Sequence, residues 1–301
     1  MSKGEVRRHF LKSIVTGSGA LAFVGSAKRA AGEDKFLTSA KLGDFKLFYE
    51  VHGEGPPVVF AHGAGGTHMS WWQQVPVLSQ KFKCITIDHR TYGYSRDVAG
   101  GPGPRAFVTD LTELLDILGI QKVALVGQSM GGTTVLGFAS AHPERVSALI
   151  MSDTIGGYSD PEIAELRRKL QPGPPPAGVS AREAMLARAF APDFPKREPV
   201  RTFLYREISS LTLPADPAPA AANGSAASTS IAPLLDKKIP VLFIVGAEDQ
   251  LIQPSIIEAM HRKMPGSQLV KVPGAGHSVY FEKPDEYNRI LGDFLSKHTA
   301  V

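Results

Sequence analysis

One device repeats along the chain and constrains the fold more than any other feature. A short apolar run stops at glycine or a polar residue, and a helical pattern follows. Residues 45–51 (Phe-Lys-Leu-Phe-Tyr-Glu-Val) are β-rich and end at His52-Gly53. Residues 58–61 stop at His62-Gly63 and residues 84–87 at Asp88; residues 123–126, 146–151, 241–245 and 268–272 repeat the pattern. Between them, Phe107, Leu111, Leu114, Leu115 and Leu118 keep helical spacing, with Gly119 where a C-terminal cap belongs. Tyr287, Ile290, Leu291, Phe294 and Leu295 make an amphipathic last helix. Strands that are apolar along their whole length are covered on both faces. Alternation with helices therefore implies an α/β fold around a mostly parallel sheet.

The alternation breaks between about Gly157 and Leu235. Residues 172–178 are Pro/Gly-rich, and residues 214–230 are rich in Ala, Pro and Ser with Asp216 as their single charge. Both read as irregular connectors. Residues 180–190 and 198–209 between them read as helices. The region is expected to be an inserted helical cap over the C-terminal edge of the sheet. A linker between two domains is the other reading, but neither flank holds enough strands to stand alone. The 301 residues then divide into a segment at 1–32, a core at 33–156, the cap at 157–235 and the rest of the core at 236–301.

The first 32 residues hold six basic and one acidic side chain; the remainder holds 27 basic and 28 acidic ones. The net charge of +4 thus belongs to the N-terminus. The body gives no electrostatic case for nucleic acid or an anionic membrane. Arg7-Arg8-His9-Phe10-Leu11-Lys12 precedes an uncharged Gly/Ala-rich stretch that ends in Gly25-Ser26-Ala27. Basic start, short apolar middle and small residues form the layout of an export signal. The segment resembles a twin-arginine signal, with Val6 in place of the usual Ser or Thr. An amphipathic or membrane-anchoring start is the other reading, but the apolar run is short of the about 20 residues a span needs. The expectation is a periplasmic or secreted protein handled by the twin-arginine machinery, with no stable membrane anchor. One cysteine, Cys84, excludes an intrachain disulfide and a cysteine-built zinc site. No ligand cluster suggests a metal, and no cofactor is expected.

The chemistry concentrates at the ends of the apolar runs. Gly127-Gln128-Ser129-Met130-Gly131 lies between a strand and a helix. Gly-x-Ser-x-Gly in that setting is a nucleophile elbow, with the serine on a strained, exposed turn. A serine nucleophile needs a base, and His277 stands in the glycine-rich loop Gly274-Ala275-Gly276-His277 before the last helix. The base needs an orienting carboxylate. Asp249, after the run at 241–245, is the first choice; Asp153 and Glu248 are the alternatives. A tetrahedral oxyanion needs two backbone N–H donors. Met130, directly after the serine, is one; Ala64 in His62-Gly63-Ala64-Gly65-Gly66 is the other, with Gly63 as second choice. His62 reads as a structural residue of that turn. His68, Trp71 and Trp72 follow the loop and are candidates to wall a substrate pocket. Phe190, Phe194, Phe203 and Tyr205 are candidates for an apolar lid.

With these motifs in order, the chain resembles the α/β-hydrolase superfamily over about residues 38–298, in the branch with a helical cap. Asp88-His89-Arg90-Thr91-Tyr92-Gly93-Tyr94-Ser95 resembles the family's buttressing segment, with Thr91 where glycine is usual. Gly246 through Asp249 with Pro254, and Gly276-His277 with Glu282 and Pro284, also match. The resemblance implies an eight-stranded, mostly parallel sheet with helices on both faces, and Ser129, Asp249 and His277 as a catalytic triad. It implies a serine hydrolase of a carboxylic ester or lactone that works through an acyl-enzyme. Ser129 disfavours haloalkane dehalogenases and epoxide hydrolases, which use an aspartate there. Carbon–carbon bond hydrolases typically carry Gly-Pro-Gly in the oxyanion loop and a Trp after the histidine. Here those places read Ala64-Gly65-Gly66 and Ser278-Val279. Carbon–carbon hydrolysis and cofactor-free perhydrolysis remain open on the same triad, as does a binding protein on a hydrolase scaffold.

Overall fold

A computed structural model of the chain describes residues 35–170, 173–212 and 229–299. The export-signal reading at 1–32 and most of the 214–230 connector lie outside the described residues. Eight strands form one sheet: β1 (Lys35–Leu42), β2 (Phe45–His52), β3 (Pro57–Ala61), β4 (Lys83–Ile87), β5 (Val123–Gln128), β6 (Val146–Ser152), β7 (Val241–Gly246) and β8 (Gln268–Val272). Their spatial order is β1-β2-β4-β3-β5-β6-β7-β8. β1 and β2 run antiparallel to their neighbours, and the rest of the sheet is parallel. β1 has no counterpart among the seven apolar runs of the sequence. It mixes apolar and polar residues, and it forms by antiparallel pairing with β2 as far as Leu42 opposite Phe45.

Successive strand residues serve opposite faces, which is why the runs are apolar throughout. Val59, Ile85, Leu125, Leu149 and Phe243 join one core with Leu111 and Leu115 of the helix Phe107–Ile117, Val135 and Phe138 of Met130–Ala141, and Ile257 and Met260 of Pro254–Arg262. Val58, Phe60, Ala124, Ile150 and Leu242 join the other with Trp71, Phe281 and Tyr287, Leu291 and Leu295 of the helix Pro284–His298. Cys84 lies in this second core, and burial pushes its thiol up to about 12, so it is a small hydrophobe and not a nucleophile.

The region expected as a cap divides differently from its sequence bounds. The helix Pro161–Leu170 buries Ile163 in the first core. It ties to the end of Pro254–Arg262 through Lys263, which pairs with Asp160 at 2.9 Å and Glu162 at 2.7 Å. Ile231 and Leu234 join the same core. The two ends of residues 157–235 therefore belong to the body. The helices Ala181–Ala187, Phe194–Arg197 and Pro199–Ser210 instead place Phe190, Phe194 and Ile208 against the second core, at the C-terminal edge of the sheet.

Candidate active site

Ser129 follows β5 with φ +49° and ψ −115°, a left-handed conformation that L-residues rarely hold. The turn survives because its neighbours leave room and supply partners. A side chain on Gly127 would collide with Val135, and one on Gly131 with the carbonyls of Ala61 and His62. The Ser129 N–H donates to Ser152 O at 3.0 Å, and Thr154 Oγ1 donates to Ser129 O at 2.7 Å. Met130 opens the helix Met130–Ala141, so its N–H lacks an intrahelical acceptor. Among the described residues neither the Met130 nor the Ala64 N–H donates to another group.

The loop after β3 explains how Ala64 is aimed. His89 N–H donates to His62 Nε2 at 3.0 Å, so that nitrogen is unprotonated and Nδ1 carries the hydrogen. His62 Nδ1 then donates to Gly63 O at 2.8 Å, and Gly66 N–H donates to the same oxygen at 2.9 Å. The peptide is planar, so a Gly63 carbonyl held on one side turns the Ala64 N–H to the other. Burial pushes His62 down to about 4 and holds His89 well below the ordinary imidazole range. Neutral rings keep this scaffold intact at physiological pH, in line with the structural reading of His62.

Asp249 and His277 come together from loops after β7 and β8. His277 Nδ1 and Asp249 Oδ2 lie 2.8 Å apart, both residues buried. Asp249 Oδ1 accepts from the Leu251 N–H at 2.7 Å and the Ile252 N–H at 3.0 Å. The alternative carboxylate, Asp153, is engaged elsewhere. It accepts from the Gly246 N–H at 2.9 Å and from Ser152 Oγ at 3.1 Å. Burial, reinforced by the charge of Asp249, holds the Asp153 carboxyl well above the usual range. Glu248 is marked by its backbone alone, whose N–H donates to Ala275 O.

Ser129 and His277 are linked through Gln128, to which the sequence had attached no role. Gln128 Nε2 donates to His277 O at 2.9 Å. Its Oε1 occupies the place a side chain on Gly63 would need, and that place is also 3.2 Å from Ser129 Cβ. One buried carboxamide thus spans the serine turn, the histidine loop and the loop after β3. No hydrogen bond joins Ser129 Oγ to His277 Nε2 among the described residues. Such contacts often tighten only when substrate is bound.

The expected pocket wall is only partly there. The His68 ring is held by Asp88 Oδ1 at 2.8 Å, with Glu50 at 3.9 Å on its other nitrogen, so it buttresses β2 instead of lining a pocket. Trp71 is fully buried between Phe60 and Tyr280 and belongs to the core. Trp72 is 42% exposed at the surface, its ring 6.3 Å from Phe281. Phe190 stacks on Phe194 at 4.8 Å and meets Tyr205 at 4.6 Å, and Tyr205 meets Phe281 at 5.1 Å. Phe203, expected with them, is 64% exposed on the opposite side of its helix. Met185, Leu186 and Ser209 lie over Gly65, so the inserted helices do roof the loop after β3.

The buttressing segment keeps its shape despite Thr91, which adopts φ +74° and donates its N–H to Ser95 O at 2.8 Å. A strained threonine stands where glycine would fit freely. Asp88 accepts from the His68 and Tyr94 N–H groups, and Arg90 joins Asp110 and Asp97 above the Phe45 ring.

The alpha/beta hydrolase fold family model matches residues 56–284. A Bacillus subtilis (strain 168) protein provisionally named as a 2-succinyl-6-hydroxy-2,4-cyclohexadiene-1-carboxylate synthase is 30% identical over 265 residues, 82% of this chain and 94% of its own. The structure of a thermophilic esterase from Thermogutta terrifontis matches with a TM-score of 0.74 and 30% identity, covering 89% of this chain and all of the esterase. That of the enol-lactonase from Burkholderia xenovorans LB400 matches with a TM-score of 0.68 and 25% identity, covering 86% of this chain and all of the lactonase. With the family model spanning most of the sheet and every loop described above, the chain belongs to the α/β-hydrolase family and is a hydrolase of that family.

Proposed function

We propose that the chain hydrolyses a carboxylic ester or lactone, with Ser129 as nucleophile, His277 as general base and acid, and Asp249 as the group that orients His277. The observation that carries this reading is the 2.8 Å Asp249–His277 contact at the sheet edge that also presents the strained Ser129. The names of the esterase and enol-lactonase relatives support the substrate class. Ser129 Oγ attacks the carbonyl carbon while His277 Nε2 takes its proton. The oxyanion forms against the N–H groups of Ala64 and Met130, at the start of a helix where negative charge is favoured. His277 then gives the proton to the leaving alcohol oxygen as the carbon–oxygen bond breaks, leaving an acyl group on Ser129. A water loses a proton to His277 and attacks the acyl carbon; the bond from that carbon to Ser129 Oγ then breaks as His277 returns the proton to Oγ, and the acid leaves.

Intact-protein mass after exposure to a fluorophosphonate tests the reading. One adduct on the Ser129 chain and none on Ser129→Ala is expected; an equal mass gain on both chains, or none on either, would sink it. Turnover of a vinylogous diketone faster than any ester would move the assignment to carbon–carbon hydrolysis on the same residues. The Arg7–Lys12 pattern further supports an exported enzyme. Protein recovered from the periplasm or medium should begin between about residues 28 and 33, and recovery of a chain that still starts at Met1 would remove that support.

A further inference from the structure

Glu282 is a buried carboxylate to which the hydrolytic steps give no part. It is 2% exposed and lies five residues after His277. Its Oε1 accepts the Gly276 N–H at 2.8 Å, directly before the histidine. Its Oε2 accepts the Ala191 N–H at 2.9 Å, from the inserted segment 91 residues away. The two partners touch each other: a side chain on Gly276 would collide with the backbone of Phe190 and Ala191. The strand of chain carrying Phe190 therefore rides directly on the histidine loop, and a single carboxylate pins both.

The surrounding contacts make the joint two-sided. Arg201 of Pro199–Ser210 donates to the carbonyls of Phe281 at 3.2 Å and Glu282 at 3.4 Å. Ser278 Oγ donates to Tyr205 OH at 3.2 Å. The charged and titratable groups that face Glu282 are Arg197 and Arg201 from the inserted helices, Tyr205 beside them, Asp153 from the end of β6, and His277 on its own loop. No cation forms a salt bridge with its carboxylate among the described residues. Two backbone N–H donors at two oxygens need both oxygens to be acceptors.

We propose that the Glu282 carboxyl locks the inserted segment onto the His277 loop, making it a positioning residue that couples closure of the roof to the aim of the base. The consequence for His277 rests on the serine-hydrolase reading above; the lock itself does not. Burial raises the Glu282 carboxyl to about 7, with the Ala191, Gly276 and Ser278 N–H groups pulling it back. The lock is therefore weakest above that pH, where the buried carboxyl carries its charge, and tightens as pH falls through it.

Hydrogen exchange at the Ala191 and Gly276 amides tests the lock on the full chain carrying Ser129→Ala, where turnover plays no part. At pH 8, adding Glu282→Gln should speed exchange at one or both amides about tenfold, as loss of a charge-assisted bond requires, while the Leu125 amide of β5 is unchanged. With Glu282 in place, exchange of the two amides relative to Leu125 should fall about tenfold between pH 8 and pH 6, and in Glu282→Gln the ratio should stay flat. Unchanged protection in Glu282→Gln, or a flat ratio with Glu282 present, would overturn the lock. If Glu282→Gln also exposes Leu125, the pH series on the unaltered glutamate decides. With Ser129 restored, fluorophosphonate labelling should slow about tenfold in Glu282→Gln, and an unchanged rate would overturn the coupling to His277. Absence of labelling in the Glu282 chain as well would fail the hydrolase reading, while the exchange results would still judge the lock.

Discussion

Asp249→Asn is expected to fold and to lose about ten-thousandfold in kcat, the loss seen when a triad aspartate becomes an amide. The direction follows from the two oxygens of Asp249. Oδ1 accepts from two backbone N–H groups, Leu251 and Ile252, and Oδ2 faces His277 Nδ1. An asparagine satisfies the loop only by placing its carbonyl oxygen on those N–H groups. Its NH2 then points at Nδ1 and demands an acceptor there. The imidazole must carry its proton on Nε2, where it can no longer take one from Ser129. Asp153 is the residue that could blunt the loss, since it is buried nearby and interacts with Asp249. Its oxygens are already committed to Gly246 N–H and Ser152 Oγ. Asp249→Asn combined with Asp153→Asn should therefore be no slower than Asp249→Asn within about threefold, because neither residue substitutes for the other. A single variant that retains a tenth of the activity, and loses it only in the double, would make Asp153 the orienting acid instead.

The contrast between these two carboxylates marks what the sequence could and could not say. Ser129, Asp249 and His277 each sit within a few residues of the end of an apolar run. A parallel sheet gathers such ends at one edge, so local spacing was enough to nominate them. The same logic left Asp153 open, because it too follows a strand; only the hydrogen-bond partners separate it from Asp249. Gln128 and Glu282 lay inside recognised motifs, yet their work is long-range. Gln128 reaches a residue 149 positions away, and Glu282 one 91 positions away. No periodicity encodes such a meeting. His68 and Trp71 show the opposite failure. Their place after the loop suggested a pocket wall, but Asp88 after β4 and Glu50 of β2 hold the histidine, and the tryptophan fills the space between Phe60 and Tyr280. The eighth strand, β1, was missed because an edge strand with one exposed side is not a continuous apolar run. Within the region expected as a cap, tertiary packing sent the first helix, Pro161–Leu170, to the body through Ile163.

The crowding between Gln128 and the loop after β3 makes a second large effect testable. Gly63→Ala would put a methyl group where Gln128 Oε1 now sits and 3.2 Å from Ser129 Cβ. Something must shift; Gln128 is tied to His277 O and the Gly63 carbonyl holds two hydrogen bonds of its own, so the strain reaches both the His277 brace and the loop carrying the Ala64 N–H. Displacing that donor should cost about a hundred- to a thousandfold in kcat with little change in KM, as removal of an oxyanion donor does. Gln128→Ala alone removes the brace on His277 and leaves a buried carbonyl short of its donor, for a loss of about tenfold. The double variant Gly63→Ala with Gln128→Ala is the discriminating case. With the carboxamide gone, the new methyl meets only Ser129 Cβ, a contact that a shift of a few tenths of an ångström relieves. The loop can then return, and the double variant should be faster than Gly63→Ala alone by about tenfold. Independent effects would make it about tenfold slower. A double variant at or below the product of the two single losses would place the damage of Gly63→Ala outside its contact with Gln128, and would remove the argument that this loop presents an oxyanion donor to Ser129.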